Sequence, residues 1–194
     1  MTTPEELSGG GGFETHELRG PAFATPNKNV GEGDRQGTPL WLFKLLRDEF
    51  LFTGGDLFAD HGNALLPKYF TLESQIDVDA YRDLGFTFWA NPPYSRGNIT
   101  TAASTCRALA DNGNRVVGLT RAEPTARWWR ILRPACAEVR LLDTRLVFRG
   151  QTGLYPFPCW VWVAVPPTQR RGHPSVWFWD ASEKYEQRYG SKPQ

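Results

Sequence analysis

Four consecutive residues, Asn91-Pro92-Pro93-Tyr94, carry the sharpest chemical signal in the chain. They follow the apolar run Phe86 to Ala90, which reads as a strand that must stop at the Pro pair. A planar ring amine such as that of adenine is a poor nucleophile, because its lone pair is spread into the ring. Acceptors that bond the amine hydrogens in a pyramidal geometry localise that pair. The Asn91 side-chain oxygen and the Pro92 carbonyl are suitable acceptors, and proline has no N–H to interfere and a fixed φ. Pro93 shapes the turn, and Tyr94 offers a face on which an extruded base can stack. A methyl sulfonium would then meet the amine in line, by preorganised geometry with no covalent enzyme intermediate. No dedicated general base stands out, and the proton can leave to water. The bland reading of the same tetrapeptide is a rigid turn with a packed aromatic.

The elements around this turn must hold it in place. Thr38 is a good helix cap and Pro39 suits the first helical position, so the spacing of Leu40, Trp41, Phe43, Leu45, Leu46 and Phe50 predicts a helix over 39–49. Asp56 to Phe58 reads as part of a buried strand. A helix is expected over 98–112, ended by Asn112-Gly113, then a strand from Arg115 to Leu119. Pro124 opens a further helix through Trp128 and Trp129 that Pro134 ends. Strands follow at Val139 to Leu142 and Trp160 to Val165, with another candidate at Leu146 to Phe148. Alternating strands and helices imply an α/β sheet, in which ligands bind beyond the carboxyl ends of the strands. Asn91 to Tyr94 and Asp60 to Asn63 would sit at such ends. Residues 1–36, with Gly9 to Gly12, read as a flexible tail, 37–166 as one domain, and 167–194 as a partly ordered C-terminal extension.

Hydrophobic residues at 40% supply a real core, which excludes disorder throughout. No apolar run approaches the roughly 18 residues of a membrane span, and the first residues lack a signal-peptide pattern. Three scattered Cys and three scattered His argue against a disulfide scaffold and a metal site, and point to a reducing cytoplasm. The net charge of +1 hides an asymmetry: residues 1–94 sum to −7 and residues 95–194 to +8. Seventeen of the 22 basic residues are Arg, whose planar fork suits phosphate. Arg96 follows the turn, and Arg121 and Arg127 lie just past the next strand, so all three could reach nucleic-acid phosphates. Surface solvation, or pairing with Glu123, is the competing reading.

The chain resembles the phage-type DNA N-6-adenine methyltransferase (Dam-like) family over about residues 37–165. The resemblance rests on an ordered series: Thr38-Pro39-x-Trp41-Leu42-Phe43, Asp56-Leu57-Phe58-Ala59 with Asn63-Ala64, Pro67 to Thr71, Trp89 to Ser95, Thr125 with Trp128, Arg145 to Phe148, and Pro156-Phe157-Pro158. It implies a compact Rossmann-like methyltransferase fold, mostly parallel and flanked by helices. It further implies S-adenosylmethionine as donor, adenine in DNA as acceptor, and a phage or prophage origin with a restriction-modification context. By that resemblance Asn91 to Tyr94 match the catalytic motif. Thr38, Pro39, Asp56, Ala59 and Asn63 fall in segments that line the cofactor site. A carboxylate near the donor's ammonium is physically sensible. Two departures stand out. The Gly-rich F-x-G-x-G loop is absent, with Gly54-Gly55 before Asp56 instead, and the short Asp56–Asn91 segment leaves open whether Asp77, Asp79 or Asp83 meets the donor ribose.

Other readings stay open from the residues: cytosine, an RNA base or a protein glutamine as acceptor, or a non-catalytic DNA-binding decoy on the same fold. Oligomeric state is open too. Trp128-Trp129 and Trp160-x-Trp162 read as core, and His61 as a loop residue. Trp177 and Trp179 repeat a strand spacing that either covers a sheet edge or forms an interaction patch.

Overall fold

The first helix forms where the apolar spacing places it, with its start shifted by one residue. Helix α1 spans Leu40–Phe50, Pro39 occupies the cap position, and no side chain caps it. Thr38, expected as the cap, is instead buried. Leu42, Leu45 and Leu46 are wholly buried, each worth about 1.5–3 kcal/mol of apolar burial. The computed structural model describes residues 36–71, 74–95 and 97–192. The tail read over 1–36 therefore lies outside the described residues except for Gln36, and so does Arg96.

Seven strands form one sheet: β1 (Gly55–Leu57), β2 (Tyr69–Phe70), β3 (Thr87–Ala90), β4 (Arg115–Arg121), β5 (Cys136–Leu142), β6 (Cys159–Ala164) and β7 (Ser175–Trp179), in the order β2-β1-β3-β4-β6-β5-β7. β2, β1, β3 and β4 are mutually parallel, β6 runs antiparallel between β4 and β5, and β7 is parallel to β5. The remaining helices are α2 (Asn98–Asp111), α3 (Arg127–Leu132) and α4 (Ala181–Tyr189). The α/β expectation, a mostly parallel sheet flanked by helices, holds.

Strand alternation divides the core in two. Phe88, Ala90, Val116, Trp160 and Trp162 face α2 and α3, while Trp89, Val117, Leu119, Val161 and Val163 face α1 and α4. The expected core tryptophans are core: Trp128, Trp129 and Trp160 contact one another edge-on or tilted, and the indole N–H groups of Trp160 and Trp162 both donate to Thr120 Oγ1, at 2.7 and 3.1 Å. Gly118 on β4 makes room for this cluster, since a Cβ there would stand 2.0 Å from the Trp162 ring. Gly54 does the same beside β1, where a Cβ would stand 2.6 Å from the Phe88 ring. Of the two glycines that precede Asp56, Gly54 thus serves packing against β3, while Gly55, at φ +138, lets the chain pass close to Lys68 and Phe70 on the β2 side.

Several boundaries differ from the sequence reading, each for a local reason. α3 begins at Arg127 rather than Pro124, because residues 123–126 close a turn from Ala126 N–H to the Glu123 carbonyl. Phe58 leaves β1 with φ +63, a left-handed conformation that ends the strand. Leu146 to Phe148 form no strand; only Arg149 pairs there, in an isolated bridge to Gly37. β2 escapes sequence detection because two residues carry no periodicity. Residues 175–189 form a strand and a helix, and β7 extends the main sheet. Arg140 ties this edge down: buried in β5, it donates to Glu49 of α1 at 2.9 and 2.5 Å and to Glu138 at 2.8 Å, and its guanidinium lies against Trp177 and Trp179.

Candidate active site

The carboxyl ends of β1, β3 and β4 open on one side of the sheet, and β6 enters from that side, because its first residue Cys159 pairs with Arg121. Asn91-Pro92-Pro93-Tyr94 follows β3 directly, with both prolines buried. The Asn91 amide nitrogen donates to the Gln36 carbonyl at 2.8 Å. A carbonyl can only accept, so this bond fixes the amide orientation and leaves Oδ1 as the acceptor atom. Gly37 and Arg149 exchange backbone bonds next to it, at 3.3 and 2.6 Å. Thr38 and Pro39, expected near the cofactor, are buried in this same N-terminal segment.

Asp56 sits in β1 beside Trp89 and is only 3% exposed. Burial pushes its carboxyl up to about 7; the Leu65 N–H, donating to Oδ2 at 2.8 Å, and the nearby Arg149 charge pull the other way. Ala59 is buried and donates its N–H to the Phe70 carbonyl. Asn63 closes its own loop, accepting from the Asp60 N–H at 2.8 Å, and its carbonyl accepts from Arg149 Nη2 at 2.6 Å. Arg149 therefore joins the loop after β1 to the segment after β5 and to residue 37. Sequence reasoning missed it; the quoted run Arg145 to Phe148 stops one residue short.

Beside this end lies a small apolar cleft lined by Leu57, Phe58, Phe70, Gln75, Ile76 and Thr101, among others. Asp79 and Asp83 do not reach it. The Asp79 carboxylate accepts from Asn112, and the Asp83 N–H donates to the Asn112 carbonyl, at the opposite, amino end of β4.

Tyr94 faces Tyr155 across the mouth, with ring centroids 6.4 Å apart and planes inclined by 21°. Tyr155 comes from the β5–β6 loop and was not singled out by the sequence. Its position is held by its N–H donating to the Leu146 carbonyl at 2.7 Å and by Arg145, which donates to the carbonyls of Tyr155 and Pro156. The conspicuous Arg145 thus braces the loop that presents Tyr155. The Tyr94 hydroxyl is buried, with no hydrogen-bond partner among the described residues, and burial raises it well above the ordinary tyrosine value. Arg121 lies close by. It pairs with Glu123 at 2.6 Å and sits 4.8 Å from the Phe157 ring. Arg127 is exposed at the start of α3.

Among the described residues no group of three or more His, Cys, Asp or Glu could hold a metal ion, and no helix is long and apolar enough to cross a membrane. The three cysteines are free and buried.

A family model described as DNA N-6-adenine-methyltransferase (Dam) matches residues 25–156. The match spans more than half of the 194 residues. The chain belongs to the Dam family. Membership implies methylation of adenine N6 in DNA. The matched span takes in Gln36, Asn91 to Tyr94 and Tyr155. Comparison with curated proteins found no match.

Proposed function

We propose that this Dam family member transfers a methyl group from S-adenosylmethionine to N6 of an adenine extruded from DNA at the Asn91–Tyr94 turn. The hydrogen bond from Asn91 to the Gln36 carbonyl carries the reading: it engages the donor side of the amide and leaves Oδ1 to accept from an incoming amine. Asn91 Oδ1 and the Pro92 carbonyl accept the two N6 hydrogens and draw the lone pair out of the ring. Tyr94 supports one face of the base, and Tyr155 borders the other side of the same mouth. The donor, when bound, supplies an electrophilic methyl on its sulfonium. Nitrogen gains that methyl and loses a proton to water.

The residues at hand fit such a donor. Asp56, buried and held near neutrality, would ionise against the donor's ammonium, and the apolar cleft at Leu57, Phe58 and Phe70 suits its purine. Thr38, Pro39, Ala59 and Asn63 frame that side. Arg96, Arg121 and Arg127 are assigned to DNA phosphates, with Arg121 exchanging Glu123 for phosphate on binding. We read residues 37–166 as a Rossmann-like methyltransferase domain, and 167–194 as an extension of its sheet.

The test is transfer from labelled S-adenosylmethionine to unmethylated duplex DNA, followed by digestion to nucleosides and mass analysis. N6-methyladenine is expected. Methylated cytosine would move the acceptor, and absence of both transfer and donor binding would overturn the proposal in favour of a DNA-binding decoy.

A further inference from the structure

β7 is the last strand of the sheet, and its outer edge meets no other strand among the described residues. Its sequence, Ser-Val-Trp-Phe-Trp, holds none of the lysines, prolines or bulges by which exposed edges are usually blunted. Phe178 is 78% exposed and Val176 60%. Both lie on the same face, opposite Leu141 and Val139 of β5. Such an edge is a template for another strand.

The charges at its two ends are opposite. Arg171 lies exposed just before β7, and no ion pair holds it among the described residues. At the carboxyl end lie the exposed carboxylates of Asp143, whose N–H donates to the Trp179 carbonyl, and of Asp180, with Glu183 following in α4. An antiparallel partner of the same sequence brings each basic end onto an acidic end. Centred on Trp177, that pairing also sets Val176 against Phe178 of the other copy, twice. An aromatic against a β-branched residue is a favourable cross-strand pair.

We infer that β7 pairs antiparallel with β7 of a second copy of this chain, joining two sheets about a two-fold axis at Trp177. A five-residue strand pair is small for an interface, so association is weak and concentration-dependent. The inference does not rest on the methyl-transfer reading. β5 and β7 run parallel, so reversing the second β7 points the two candidate active sites in opposite directions.

Sedimentation velocity on the full chain, up to about 100 μM, tests this. A dimer that strengthens with concentration is expected for the wild type. Phe178→Lys, at an exposed site, should be monomeric with an unchanged circular dichroism spectrum and Tm. Arg171→Glu should weaken the dimer at least several-fold, and Arg171→Glu with Asp143→Arg should restore it. A wild type that stays monomeric, or a dimer that survives Phe178→Lys, overturns the inference. Failure of the double variant to recover overturns the antiparallel register.

Discussion

At the scale of single residues, Asn91 and Tyr94 are separable. Asn91→Ala removes the acceptor for the amine, together with the bond to the Gln36 carbonyl, and leaves the residues assigned to S-adenosylmethionine in place. Turnover should fall at least about 100-fold, the scale seen for lost preorganised hydrogen bonds, while S-adenosylmethionine binding stays within a few-fold by calorimetry. Near-normal turnover would sink the role given to Asn91. The Tyr94 hydroxyl is buried without a partner, so Tyr94→Phe should keep both activity and stability, whereas Tyr94→Ala loses the stacking face and raises KM for DNA. Asp56 sets a pH dependence with a definite sign. The folded carboxyl keeps its proton to about pH 7, while the unfolded chain releases it near 4. Within that window the folded state binds more protons, so stability of the ligand-free protein falls as pH rises from about 4 to about 7. Asp56→Asn should flatten that part of the slope in thermal melts taken across the window. Donor affinity should rise over the same window, because the ammonium favours the ionised form.

Secondary-structure elements show where sequence reading succeeds and why it stops. α1, β3, β4 and β6 were legible because long apolar runs with a clear period are bounded by Pro, Gly or Asn. The start of α3 was not, since Pro124 fits a turn as well as a helix. The Asn91–Tyr94 turn was legible as a local motif. Tyr155 and Arg149 were not, because they meet the site through folds of the β5–β6 loop that leave no local pattern. Glycines 54 and 118 are explained only by the rings they admit. Gly118→Ala drives a methyl into Trp162, and overpacking of that kind costs about 1–3 kcal/mol. Calorimetry should show Tm lowered by roughly 2–4 °C per kcal/mol. An unchanged Tm would mean that the Trp160–Trp162–Thr120 cluster can shift aside.

Taken as a whole molecule, the described residues gather the candidate site at one end of the sheet. The parallel strand ends, the β5–β6 loop and the first described residues converge there, while Asp79 and Asp83 lie toward the amino end of β4. The charge asymmetry of the sequence is therefore only partly a DNA-binding feature. Arg140, Arg107 and Arg170 are engaged in internal ion pairs. Arg121 is engaged with Glu123, which its sequence position alone left undecided.

The bond from Asn91 to the Gln36 carbonyl reaches past the motif into the practice of making this protein. A boundary drawn only to keep Asn91 to Tyr94 and the sheet would be drawn in the wrong place. A chain begun at Thr38 retains every side chain assigned to chemistry and every strand. It lacks the carbonyl that orients the amide and the backbone pairing of Gly37 with Arg149. Compared with a chain begun at Gln36, its kcat should drop by about tenfold or more, as expected from losing one buried hydrogen bond near the reacting atoms. Equal rates for the two lengths would show that the amide finds its orientation without help. In expression vectors, affinity tags and fusion junctions, the N-terminal edge of the domain is then a functional choice, made four residues before the helix that marks it on a secondary-structure plot.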